Sequence, residues 1–241
     1  MEFSDEAIIL RVEDRDISDK YVTCYSHFHG RIRFVAYGAK YQKSVAGRLL
    51  QPFANLNLDL QTGNVIDKLR STELAKLPEK YDFKQMAYAA VIAELTEIFT
   101  ADHEGDENLF LILQNCLHLI CLRNPRVVTL IYAIKLLAST GFRPQMDECV
   151  LCHKKAEDNF FFSVLQGGVL CQNCGENNEL IFGNGARELY HILLDLDLEK
   201  PLDFSVTGLD LMQLEKAILH FILFQTDRPL KSLAYLQQVG L

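Results

Sequence analysis

Residues 29–37, His29-Gly30-Arg31-Ile32-Arg33-Phe34-Val35-Ala36-Tyr37, decide how the first third of the chain reads. His29-Gly30 suits a hairpin turn. After it Arg31, Arg33, Val35 and Tyr37 fall on one face and Ile32, Phe34 and Ala36 on the other, the two-residue period of a half-buried strand. Outward from here the pattern repeats. Ala7–Val12 is a compact apolar run. Ala54–Leu60 sets Leu56, Leu58 and Leu60 against Asn55, Asn57 and Asp59, and Val65–Ser71 makes a fifth strand beyond the turn Thr62-Gly63-Asn64. Five short strands at this spacing suit a small closed barrel such as an OB-fold, with another small β-sandwich or an SH3-like barrel as the alternative.

The same stretch sits inside a window, Lys20–Leu58, that holds no Asp or Glu. Its charges are Lys20, Arg31, Arg33, Lys40, Lys43 and Arg48, interleaved with Tyr21, Tyr25, Phe28, Tyr37, Tyr41 and other aromatics. The whole chain carries −8, divided as +1 over residues 1–80 and −9 over 81–241. Cations release counterions when they meet phosphates, and aromatic faces stack on unpaired bases. Arg31, Arg33 and Tyr37 on the strand, with Lys40, Lys43 and Arg48 from the loop Gly38–Arg48, are therefore the candidate nucleic-acid face. A solvated strand beside a mobile loop is the plainer reading. The overall acidity argues against a general nucleic-acid coat protein. It does not exclude one local face, because charges beyond roughly 8–10 Å are screened in physiological salt.

Composition shifts at Pro78. Helical spacing follows over Phe83–Thr100, Glu107–Leu122, Pro125–Ser139, Ala186–Leu196 and Leu209–Thr226, with a short helix after Pro229. Pro125 fits the first turn of its helix, Gly141 a stop, and Thr207 with Asp210 a capping box in which Asp replaces Glu. The expected architecture is α+β and multidomain: a barrel over 1–80, then a helical domain over 81–241.

Within the helical part lies Cys149-x2-Cys152, then eighteen residues, then Cys171-x2-Cys174. Two such pairs can bring four thiolates into a tetrahedron about 2.3 Å from zinc. Gly167, Gly168 and Gly175 leave backbone room for the turns. A redox pair or unmetallated cysteines are the alternatives. Four sulfur ligands leave no open position, so one structural Zn2+ per chain is expected, fastening an insertion over 147–178. Cys24, Cys116 and Cys121 lie in apolar stretches and read as core. His27 and His29 flank a turn and read as surface residues. The chain has no GxxxxGK[ST], HExxH or GxSxG motif and no acid–base pair singled out by spacing, so no enzyme is expected. It shows no secretory signal and no apolar run long enough to span a membrane, so a soluble intracellular protein is expected.

In this order the pieces resemble the RecO family. They are Ala7-Ile8-Ile9-Leu10-Arg11, Ser18-Asp19-Lys20, His29 through Lys40, Leu50-Gln51-Pro52-Phe53, Leu136-Leu137, and Gly141-Phe142-Arg143-Pro144-Gln145 before Cys149. Gly167-Gly168-Val169-Leu170-Cys171 and Pro229-Leu230-Lys231-Ser232 follow. The resemblance implies an N-terminal OB-fold, then a helical domain interrupted by a four-cysteine zinc knuckle. It implies a DNA repair and recombination mediator that binds single- and double-stranded DNA, anneals complementary strands, and works with RecR to help RecA load on strands coated by single-stranded DNA-binding protein (SSB). It also implies binding of the SSB C-terminal tail and a cytoplasmic, nucleoid-associated place of action. In some members of the family it resembles, the helix before the knuckle carries adjacent basic residues that could receive the tail's carboxylates. Here Thr129–Leu137 is apolar apart from Lys135, so Lys135 or Arg126 is the candidate cation for that tail. Two other function classes remain at this point: a protein-interaction adaptor for SSB and RecR with weak DNA contact, and a zinc enzyme acting on nucleic acid.

Overall fold

A computed structural model describes residues 1–41, 43–155, 160–175, 179–200, 204–227 and 229–238. Of the expected insertion, residues 156–159 and 176–178 lie outside this set. Residues 201–203, 228 and 239–241 of the expected helical domain also lie outside it.

Five strands close into a barrel: β1 (Glu2–Asp14), β2 (Lys20–Ser26), β3 (Gly30–Ala36), β4 (Asn55–Gln61) and β5 (Asp67–Leu74). The order around it is β1-β2-β3-β5-β4, antiparallel except for a short parallel pairing of β3 with β5 at Phe34↔Asp67 and Val35↔Lys68. This is the OB arrangement expected from the alternation. Ile32, Phe34 and Ala36 point inward to Ile9, Val22, Cys24, Leu56, Leu58 and Leu60, all essentially inaccessible to solvent. Sequence spacing missed one device, a bulge in β1 between Ile9 and Arg11. One extra residue flips the phase of a strand. Ile9 and Val12 thus both reach the interior, although they lie three apart.

The expected loop 38–48 is partly helical. Val45–Leu49 forms α1, capped by Ser44, whose Oγ accepts from the Gly47 amide at 3.0 Å. Two longer helices, α2 (Phe83–Phe99) and α3 (Glu107–Leu122), belong to the same compact unit as the barrel, which runs Met1–Thr129 with residues from Tyr235 on. The reason is visible in β1 and β2. Ile8, Leu10 and Tyr25 are buried although they stand outside the barrel core, and α2 packs against both strands. The compact unit thus extends past the expected boundary at residue 80.

The β2–β3 hairpin is clamped from two sides. Asp5, its side chain almost fully buried, accepts from the amides of Phe28 (3.0 Å) and His29 (3.2 Å) and meets His29 Nδ1 at 2.8 Å. Opposite, Gly30 at φ 64° has no room for a Cβ, which would stand 2.1 Å from the Glu104 carbonyl oxygen; Gly105 is pressed equally close to Phe28. His27 stacks on Phe110 with centroids 4.9 Å apart. Neither histidine is the plain surface residue its position near a turn implied.

The second unit, Leu130–Ala234, is described by itself. It takes the buried C-terminal part of α4 (Pro125–Ser139), then a sheet of order β7-β6-β8 from Phe160–Ser163 (β6), Gly168–Leu170 (β7) and Leu180–Phe182 (β8). The helices α5 (Asn184–Asp195) and α6 (Gly208–Thr226) pack on each other, and Phe162 meets Phe182 and Phe221. The chain continues into α7 (Lys231–Gln238). Among the described residues no helix is long and apolar enough to cross a membrane.

Gly30→Ala tests the clamp. Left-handed backbone alone costs an L-residue about 1–2 kcal/mol, and the added methyl also displaces the Glu104 carbonyl. Urea unfolding should show a loss of at least that size, with the hairpin amides losing hydrogen-exchange protection first.

Candidate nucleic-acid face and cysteine cluster

The six cations of the acid-free window divide into two sets of three. Lys20, Arg31 and Lys40 are engaged by other parts of the protein, Lys40 from an exposed position. Lys20 Nζ donates to the Gly47 carbonyl at 3.3 Å, holding α1. Arg31 has a side chain only 15 % exposed; its Nε donates to Asp102 Oδ1 at 2.6 Å and its guanidinium also reaches the Glu97 carbonyl. Lys40 pairs with Asp14 at 3.1 Å and donates to the Asp16 carbonyl at 2.9 Å. The placement of Arg31 corrects the expectation of a free cation on an open strand face: it fastens β3 to the end of α2.

Arg33, Lys43 and Arg48 are exposed, and no hydrogen bond or ion pair engages them among the described residues. Tyr37 and Tyr41 stand beside them, 57 % and 66 % exposed. Strand pairing adds a cation the window did not contain. Val35 pairs with Lys68 of β5, so exposed Lys68 shares the outward face of Arg33, and α1 with Arg48 packs against β5. Residue 68 lies far from residue 33 in sequence, and only the barrel's closure brings them together.

Pairing also brings acids close. Residues 38–40 lie along the β1–β2 connection, where Lys40 N donates to Ser18 and the Gly38 amide donates to Asp19 at 2.9 Å. That amide, helped by the Ser18 hydroxyl, holds the Asp19 carboxyl below the usual carboxylate range. Freedom from acids along the chain is therefore not freedom from acids in space. The open part of the face is Arg33, Lys68, Lys43 and Arg48 with the two tyrosines.

The remaining cations stand elsewhere. Arg126 is exposed on α4, with its amide on Asn124 Oδ1. Lys135 is half-buried and donates to the Leu194 carbonyl at 2.7 Å. Arg126 belongs to the first compact unit and Lys135 to the second.

The four cysteines do come together. The sulfurs of Cys149, Cys152, Cys171 and Cys174 all lie within 4.8 Å of one another, and Cys152 and Cys171 are 3.7 Å apart. A tetrahedron with metal–sulfur bonds of about 2.3 Å has edges of about 3.8 Å, so the cluster fits a metal ion held by sulfur. Each pair sits in a tight turn. The His153 amide donates back to Cys149, and the Cys174 and Gly175 amides donate to Cys171. β7 braces both turns, since Val150 N donates to Val169 and Val169 N to Gln145. Gly168 makes the brace possible, because a Cβ there would meet the Gln145 carbonyl oxygen at 2.5 Å. Burial pushes the Cys149 thiol up, but amides of Cys171, Cys152 and Leu151 aimed at its sulfur outweigh that and bring it down to about 6. Cys174, facing the sulfurs of Cys171 and Cys152, is pushed up to about 12. Four thiols that crowd one another in this way favour exchanging protons for a cation. His153 turns to Glu148 and is not part of the cluster. Sequence spacing did not show β6–β8, whose apolar runs are too short for their period to be told from a helix turn. Cys24 and Cys116 are core, as expected, and burial drives the Cys24 thiol far upward.

Two family models match the chain, one on each side of residue 79. Residues 1–78 match the family model described as "Recombination protein O N terminal", and residues 80–234 match "Recombination protein O C terminal". Relatives named "DNA repair protein RecO" include one from Desulforamulus reducens, 30% identical over 97% of this chain and 93% of its own. One from Bacillus mycoides is 32% identical over 83% of each. One from Symbiobacterium thermophilum is 29% identical over 96% of this chain and 95% of its own.

The two sets of cations separate by stability. Arg31→Ala removes charged hydrogen bonds from a mostly buried guanidinium and should cost about 1.5–3 kcal/mol. Arg33→Ala should stay within about 0.5 kcal/mol of the parent. Equal costs in urea unfolding would refute the division.

Proposed function

The chain belongs to the RecO family of DNA repair proteins, and on that premise we propose that its barrel binds single- and double-stranded DNA through the outward face of β3, β5 and α1. The supporting observation is the set Arg33, Lys68, Lys43 and Arg48, exposed and unpaired among the described residues, with Tyr37 and Tyr41 beside it. Phosphates meet the cations, and the tyrosines offer stacking surfaces to unpaired bases. A strand held by its backbone keeps base edges accessible to a complement, which is what annealing requires. No bond is made or broken, so the protein acts as a mediator and not as an enzyme. It works with RecR to assist RecA on SSB-coated strands, at the nucleoid within the cytoplasm. Arg126 and Lys135 are separate candidate contacts for the acidic SSB tail, and Lys135 would have to leave Leu194 to serve.

The metal we propose is Zn2+, one per chain, held by Cys149, Cys152, Cys171 and Cys174. It supplies a fixed tetrahedral tie between the two turns flanking β7 and leaves no position open for water. A second reading, an adaptor with weak DNA contact, draws on the internal pairing of Lys20, Arg31 and Lys40, which halves the cations the window presents.

Binding of a fluorescent single strand across a salt series decides between them. The parent should lose affinity steeply with salt. Replacing Arg33, Lys43, Arg48 and Lys68 together by Ala should flatten the slope of log K against log salt by about 0.7 per lost phosphate contact. An unchanged slope would refute this face, and absence of binding in folded, metal-loaded parent would favour the adaptor. For the metal, cobalt substitution should give the charge-transfer absorption of four thiolates. Chelation should expose β6–β8 amides to exchange while barrel amides keep their protection.

A further inference from the structure

The cysteine cluster is uneven in its exposure. Cys149 is buried, Cys171 and Cys174 are half-buried, and Cys152 is exposed, with the exposed His153, Lys154 and Lys155 directly after it. The Cys152 sulfur stands 3.7 Å from that of Cys171, which belongs to the other turn. The remaining cysteines offer no rival. Cys24 and Cys116 are buried in the core, and Cys121, half-buried, is kept a neutral thiol by burial and by the charge of Glu79. A dissolved oxidant acts on thiolates it can reach, and a second thiolate close by turns the first product into a disulfide. Cys152 alone combines exposure, a neighbouring sulfur in the opposite turn and a place in a cluster whose sulfurs become thiolates when a cation binds.

We propose that Cys152 is an oxidation site with Cys171 as its resolving partner, and that hydrogen peroxide acting there exchanges the metal tie for a covalent one. The Cys152 thiolate attacks one peroxide oxygen, forming an S–O bond and breaking the O–O bond. The other oxygen leaves as hydroxide and takes a proton. The Cys171 thiolate then attacks the Cys152 sulfur, forming the S–S bond and expelling the second oxygen, which is protonated in turn. The two thiolates give up two electrons, and one peroxide with two protons becomes two waters. The sulfurs close from 3.7 Å to about 2.0 Å. Cys149 and Cys174 remain, too few to fill a four-coordinate site, so the ion leaves. The disulfide joins the same two turns that flank β7, and excess thiol reverses it by exchange. The site rests on the four-thiolate metal reading above and is independent of DNA binding.

The test treats the intact, zinc-loaded chain with hydrogen peroxide, times zinc release with a chromogenic chelator and maps the disulfides in alkylated peptides. Zinc should leave as a Cys152–Cys171 disulfide forms, before any other cysteine is modified, and a thiol reductant with added zinc should restore the parent. Cys152→His keeps a four-ligand set that structural zinc sites use and removes the reactive sulfur, so it should slow release at least about ten-fold. Amides of β6–β8 should exchange more slowly in the oxidised chain than in the chelated one, because the disulfide holds the two turns. A first disulfide within either turn, Cys149–Cys152 or Cys171–Cys174, would overturn the proposal, as would release from Cys152→His at the parent rate. If that variant takes up no zinc, the disulfide map of the parent decides alone. Zinc that stays bound in peroxide sinks the oxidation site and leaves the metal reading standing. A folded chain that takes up no zinc sinks the metal reading and the oxidation site with it.

Discussion

The short parallel contact between β3 and β5 is the constraint on which the first unit depends. Four antiparallel pairings could build an open sheet; only Phe34↔Asp67 and Val35↔Lys68 turn it into a closed barrel. Closure removes both sheet edges, which would otherwise be free to pair with other chains. It also gives Ile32, Phe34 and Ala36 a common interior with Leu56, Leu58 and Leu60. The same contact sets Lys68 next to Arg33, so the barrel's closure and its free cations have one geometric origin.

What could be read in the sequence was what local period encodes. The alternation over Arg31–Tyr37 and Ala54–Leu60 marks which side chains face the core, and the boundaries of α3 and α4 follow from Asp106 and Pro125. The paired cysteines were legible because metal-binding turns are short and local. Illegible features are those set by distant partners. Arg31 and Arg33 are indistinguishable in an alternating strand, yet Asp102, some seventy positions on, takes one and leaves the other. Asp14 and Asp19 lie outside the acid-free window but against its loop. The bulge at Leu10 leaves no local mark, because β1 is apolar on both faces there.

The cysteine cluster and the hairpin clamp solve one problem in two ways. Both hold two backbone segments closer than side chains normally allow, through Gly168 in one and Gly30 with Gly105 in the other. In the clamp the tie is the buried carboxylate of Asp5 and its amide donors. In the cluster it is four sulfurs, whose mutual crowding is relieved when a cation replaces their protons.

The packing of α2 against β1 and β2 also has a consequence in time. A chain emerging from the ribosome at roughly 5–20 residues per second delivers all five strands seconds before α2 and Asp102 follow. During that interval Ile8, Leu10 and Tyr25 have no cover, and Arg31 has no Asp102. What the strands lack until then is apolar cover from α2 and a counter-charge from the acidic turn after it.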